Sequence, residues 1–69
     1  MIEISLGDKD HLDLCDILKM AKLCDSGGVA KHIIASGVVT VDGAIETRKR
    51  CKIRKNQVIK YDGQEVKLI

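Results

Sequence analysis

Two Asp-Gly dipeptides, Asp42-Gly43 and Asp62-Gly63, each stand between short runs that read as strands. "VVTV" precedes the first and "AIET" follows it, while "VIKY" precedes the second and "QEVKLI" follows it. A type I′ turn needs positive φ at both central residues, so Asp-Gly in such a setting marks a tight antiparallel hairpin. In the last run Val66 and Leu68 alternate with Glu65 and Lys67, the period of a strand with one buried face.

The chain ahead of the hairpins changes period twice. "IEISL" sets Ile2, Ile4 and Leu6 on one side and Glu3 and Ser5 on the other, which predicts a half-buried strand. From Asp10 to Lys22 the apolar residues Leu14, Ile17, Leu18 and Ala21 follow helical spacing, with Asp13, Asp16 and Lys19 mostly elsewhere. Asp8 or Asp10 is placed to cap that helix. Asp25 and Ser26 offer caps for a second helix, whose apolar face uses Val29, Ala30, Ile33 and Ile34 and whose end falls at Gly37 in a left-handed conformation. The connection between the helices is short, so they should pack together. The expected fold is α+β: two packed helices followed by a small, mainly antiparallel sheet of hairpins.

With 69 residues the chain has room for one small domain, residues 1–69, built around one core. It contains no Phe or Trp and a single tyrosine, Tyr61, so that core must come from Val, Ile, Leu and Ala. The apolar runs are too short to span a bilayer, and Glu3, Asp8 and Asp10 interrupt any secretory leader, so a cytoplasmic location is expected. Cys15, Cys24 and Cys51 cannot all pair within one chain and form no CxxC, which points to reduced thiols. His11 and His32 are not spaced with them as zinc ligands are, so neither a metal nor a cofactor is expected.

Charge is unevenly spread. Residues 1–30 carry three basic against six acidic residues, whereas residues 31–69 carry nine against four, although the net charge is only +2. Half of the twelve Lys and Arg residues lie in "ETRKRCKIRK", residues 46–55, where Glu46 is the only acid. A chain polarised in this way can turn one region toward a polyanion. Because the run lies between the two hairpins, it should form a strand edge and loop held at both ends, with Cys51 and Ile53 inward among Arg50, Lys52 and Arg54.

This order of elements resembles the RNA-binding module first defined in the fourth protein of the small ribosomal subunit, the S-four domain or alpha-L motif. The likeness rests on the helix "LDLCDILKM", the Ser-initiated helix "SGGVAKHIIASG", the strand and turn "VVTVDG", and "NQVIKY" in the place of a late strand, so it covers roughly residues 11–61. The small stand-alone bacterial version, the YbcJ-like family, is similar in length and in carrying a Lys/Arg run after the first hairpin. The resemblance implies binding to structured RNA, of the ribosomal or transfer RNA class, through the paired helices and the loop beside them. Where many relatives have Arg directly after the serine that starts the second helix, this chain has Gly27. That departure implies a surface shifted toward Arg48, Lys49 and Arg50, joined by the backbone amides of Gly27 and Gly28 behind Ser26.

Under that resemblance Arg48 and Arg50 are the first candidates, because a guanidinium can hold two phosphate oxygens at once. Lys49 should point to the other side of an extended segment, and Lys52, Arg54 and Lys55 extend the patch. Lys31, one turn beyond Gly27, shares its face of the second helix. With Tyr61 the only aromatic ring, recognition of folded RNA by shape and phosphates fits better than stacking of single-stranded bases. The expected partners are structured RNA together with the ribosome or an RNA-associated protein, with no membrane and no small-molecule substrate. Neither histidine is tied by spacing to a nucleophile, so no enzyme is expected. Cys51 is flanked by cations that would favour a thiolate, but its inward position predicts an inert thiol. The rival reading is a protein-interaction adaptor docking an acidic partner through the same basic segment.

Overall fold

Both Asp-Gly turns form with positive φ at each position, +51° and +88° at Asp42 and Gly43 and +51° and +75° at Asp62 and Gly63. The computed structural model describes residues 1–69. The first turn joins β3 (Thr40–Val41) to β4 (Ala44–Ile45), and the second joins β6 (Val58–Tyr61) to β7 (Gln64–Leu68). Antiparallel pairing of β3 with β6 merges the two hairpins into one sheet, with Val41 opposite Ile59. The half-buried first strand, β1 (Ile2–Ile4), completes it by lying parallel to β7, so that Ile2 faces Val66 and Ile4 faces Leu68. The strand order is β1-β7-β6-β3-β4.

The first helix is shorter than its apolar spacing predicts. Leu12–Asp13 form a two-residue strand, β2, paired antiparallel with β5 (Lys52–Ile53), and helix α1 begins only at Leu14 and runs to Met20. Neither Asp8 nor Asp10 caps it. The N-cap is Asp13, whose side chain makes no capping hydrogen bond. Instead the amides of Leu14 and Cys15 donate to the backbone oxygens of Cys51 and Lys49, both at 3.0 Å. A distant segment has replaced the local cap, which is why a search for a capping side chain misplaces the start.

Helix α2 (Gly27–Ala35) starts as its sequence predicts, with Ser26 Oγ accepting the Val29 amide at 3.3 Å, and Gly37 follows its end at φ +82°. Of the inner face expected, Ala30 and Ile34 are fully buried and Ile33 is half-buried, while Val29 is exposed. The helices pack on each other, and Leu14, Ile17, Leu18, Ala30 and Ile34 share one core with Val39, Ile53, Ile59, Val66 and Leu68. No aromatic residue enters that core, and Tyr61 packs at its margin. The architecture is α+β with a mainly antiparallel sheet, the helices and sheet contributing to a single apolar interior.

Candidate nucleic-acid interface

Residues 46–51 connect β4 to β5, and backbone hydrogen bonds fix them from three directions. The Glu46 amide donates to the oxygen of buried Val39 at 3.0 Å, and the Lys49 and Cys51 oxygens receive the first amides of α1. Within the loop, the Cys51 amide closes a turn on the Arg48 oxygen at 3.1 Å. The expected extended segment is therefore interrupted by a turn at Lys49 and Arg50, and strand geometry resumes only at Lys52. Ile53 is the apolar anchor of the run, fully buried, while Cys51 is half-buried.

The turn divides the cations between two surfaces. Arg48, Arg50, Lys52 and Arg54 line one open hollow of about 450 Å³ together with Cys51, and no carboxylate lines it. Lys49 does not line this hollow and is half-buried, placed by the turn and not by the alternation of an extended strand. Lys31 on α2 is the chief influence that pulls Lys49 below the usual lysine range, followed by burial and then by Arg50. Two elements far apart in sequence thus hold like charges together, an arrangement an anion would relieve. Lys55 is exposed in the turn before β6 and does not line the hollow.

Arg48 is not a solitary cation. Its Nε donates to Glu46 Oε2 at 2.9 Å and its Nη2 to Glu46 Oε1 at 3.0 Å, and its backbone amide donates to the same Oε2 at 3.0 Å. The Arg48 guanidinium and amide hold the Glu46 carboxyl down at about 2, well below the usual carboxylate range. The Arg48 side chain is 77% exposed and that of Glu46 only 16%. The Cys51 thiol is raised, first by burial and then by Glu46, so the flanking cations do not activate it.

At the start of α2 the two glycines do not stand alone. A β-carbon added at Gly27 would lie 3.7 Å from Lys19 Nζ, an ordinary contact distance, so the Lys19 ammonium reaches the start of α2. Lys19 is steered there from α1 and is paired with Asp16 at 3.4 Å. Neither Lys19 nor Glu46 was among the residues the sequence singled out. Lys19 appears in sequence as an ordinary polar-face lysine, and only the packing of α1 on α2 reveals its reach. The signal for Glu46 was its isolation as the one acid in the run, two residues from Arg48.

The histidines are apart: His32 is exposed on α2, and His11 lines a second hollow of about 400 Å³ with Lys9, Asp10, Leu12, Asp13 and Asp16. Asp13 of that hollow faces Lys52 of the other across the β2–β5 pair, so acidic and basic surfaces adjoin along a two-stranded ribbon. No helix of the chain is long and apolar enough to cross a membrane.

The chain as a whole resembles known proteins in sequence and in fold. The chain is 48% identical to "Putative RNA-binding protein YbcJ" of Escherichia coli (strain K12), over 69 residues that make up all of this chain and 99% of that protein. The YbcJ protein of Shigella flexneri matches with the same identity and coverage. The solution structure of E. coli YbcJ, described as revealing an alpha-L motif involved in RNA-binding, superposes with a TM-score of 0.78 at 48% identity, over all of this chain and 87% of that one. The 30S ribosomal protein S4e of Thermoplasma acidophilum superposes with a TM-score of 0.69 at 29% identity, over 84% of this chain and 31% of that larger protein. The model of the S4 domain matches residues 4–69, and the chain belongs to the S4 domain family.

Proposed function

We propose that residues 1–69 act as one non-catalytic RNA-binding domain, working in the cytoplasm on structured RNA of the ribosomal or transfer RNA class. The observation that carries this reading is the hollow lined by Arg48, Arg50, Lys52 and Arg54 without a carboxylate, on a loop fixed by backbone hydrogen bonds to α1 and to Val39. Phosphates enter this hollow, and a second phosphate contact forms at Lys49 and Lys31 on the other side of the loop. Ser26, Gly27 and Gly28 border the Lys31 side at the start of α2, where Lys19 adds its charge, and Lys55 adds to the field at the edge. Tyr61 is half-buried on β6, so no exposed ring is offered for base stacking and recognition proceeds by shape and backbone. The names of the E. coli relative and of its solution structure, both of which refer to RNA binding, support the same reading. The ribosome or an RNA-associated protein is the proposed setting.

The test is a titration of labelled stem-junction RNA and of a matched DNA duplex at several salt concentrations. If about five phosphates are engaged, log affinity falls against log salt with a slope of about −4. Changing Arg48, Lys49 and Arg50 together to Ala should leave the fold intact, weaken RNA binding and make the slope shallower by about 2 to 3. Equal weak binding of RNA and DNA, unchanged in the triple variant, would overturn the proposal in favour of a docking adaptor.

A further inference from the structure

The pairing of Glu46 with Arg48 has no part in holding the core together, since Arg48 is largely exposed and the pair lies outside the apolar cluster. Its geometry is nevertheless specific. Of the five N–H donors of a guanidinium, Glu46 takes the Nε hydrogen and one on Nη2, the side-on mode of a carboxylate fork. Nη2 also lies 4.0 Å from Cys51 Sγ, a weak contact that adds a second limit on rotation. The two hydrogens of Nη1 are used by neither. Glu46 in turn is fixed by its amide on Val39 and by the Arg48 amide on its carboxylate, so the side chain that holds Arg48 is itself held.

We propose that Glu46 is a positioning residue for RNA binding: it holds the Arg48 guanidinium so that the Nη1 edge is presented to a phosphate in the hollow shared with Arg50, Lys52 and Arg54. This rests on the reading of that hollow as the RNA site. A free arginine loses much rotamer freedom when it is immobilised on a ligand, and an arginine already ordered in the unbound protein has lost it beforehand. The carboxylate remains in place when phosphate binds, because all three of its hydrogen bonds come from Arg48 and none from the edge that meets the ligand. The depressed Glu46 titration agrees with a pair intact at neutral pH. A simple electrostatic role gives the opposite expectation, since an acid beside a phosphate site should only repel.

The experiment is a double-mutant cycle on the full chain, with Glu46→Ala, Arg48→Ala and the double variant titrated against one labelled stem-junction RNA at fixed salt. With Glu46 present, Arg48→Ala should weaken binding about tenfold. In the Glu46→Ala background the same change should cost only about two- to threefold, because an unheld arginine contributes less. The Arg48 Nε–H proton resonance, protected from exchange in the wild type, should lose its protection in Glu46→Ala, which checks that the guanidinium has been released in an otherwise folded protein. Glu46→Gln, which retains a carbonyl acceptor, should fall between the two. If Arg48→Ala costs as much or more once Glu46 is gone, Glu46 masks or ignores Arg48 and the positioning role is overturned, while the RNA site stands. If neither Arg48→Ala nor Arg50→Ala changes affinity in the wild type, the hollow is not the RNA site and both readings fall together.

Discussion

Asp42 and Val58 are bound to each other twice: the Asp42 amide donates to the Val58 oxygen at 2.8 Å, and the Val58 amide donates to Asp42 Oδ1 at 2.9 Å. The other carboxylate oxygen accepts from Gln57 Nε2 at 3.2 Å. One residue therefore supplies the first of the two positive φ angles of the first hairpin turn and fastens that hairpin to the start of β6.

Replacing Asp42 with Ala should remove two side-chain hydrogen bonds and force a β-carbon residue without local compensation into the left-handed region. The expected loss is roughly 2–3 kcal/mol, from a hydrogen-bond contribution of about 1 kcal/mol together with a similar backbone cost. Asp42→Asn, which keeps an acceptor and tolerates positive φ, should lose less than half of that. Urea unfolding of the three proteins settles the order, and equal midpoints would remove Asp42 from any structural role.

Lys22 follows α1 at φ +60°, with its amide on the Lys19 oxygen and the next amide on the Leu18 oxygen, a helix ending that usually employs glycine. The side chain is exposed and makes no ion pair that its loss would break. Lys22→Gly should therefore stabilise the protein by about 0.5–1 kcal/mol, despite the greater freedom of glycine in the unfolded chain. A thermal melt showing a lower midpoint would mean that the turn costs lysine nothing.

Glu46 titrates at about 2 in the folded chain against an ordinary value of 4.5. A depressed carboxyl contributes stability that is complete above its unfolded value, so the contribution should be full above about pH 5 and vanish as pH falls toward 2. Wild type and Glu46→Gln should thus differ most at neutral pH and converge in acid. Chemical denaturation at pH 7, 4 and 2.5 gives the comparison, and a constant difference would contradict the depressed titration.

Lys49 is depressed chiefly by the Lys31 ammonium. Lys31→Met should move Lys49 upward toward 10.5, a change visible in its side-chain resonances on alkaline titration. The sign follows for stability as well: the repulsion weighs on the folded state while both lysines are charged and is relieved as pH rises through the folded value of Lys49. The variant should therefore be slightly more stable than wild type at pH 7 and should bind RNA more weakly. An unmoved Lys49 would show that the two ammoniums do not meet in solution.

The parts of this fold that were legible in the sequence are those written in local chemistry. Positive φ at Asp-Gly, the Ser26 cap and the Gly37 ending each depend on residues within a few positions, and each formed where the residues demand it. The start of α1 was not legible, because the groups that receive its first amides belong to Lys49 and Cys51, and β2 exists only through β5. The inner face of α2 was legible except at Val29, which is as apolar as its neighbours in sequence but is left exposed by the packing against α1 and the sheet. At the candidate site, the sequence gathers the cations but cannot show that a turn at Lys49 and Arg50 sends Lys49 to Lys31, or that Glu46 faces Arg48 rather than solvent.

The parallel union of β1 with β7 brings Ile2 beside Val66 and Ile4 beside Leu68. Such a contact closes almost the whole length of the chain into one loop, and its entropic cost must be met before the sheet gains its last strand. The helices and either hairpin can form early from near neighbours, but the interior they share is sealed only by this late, distant closure. Folding should therefore be slower than in helical bundles of equal size and all-or-none in character, with no half of the molecule surviving on its own.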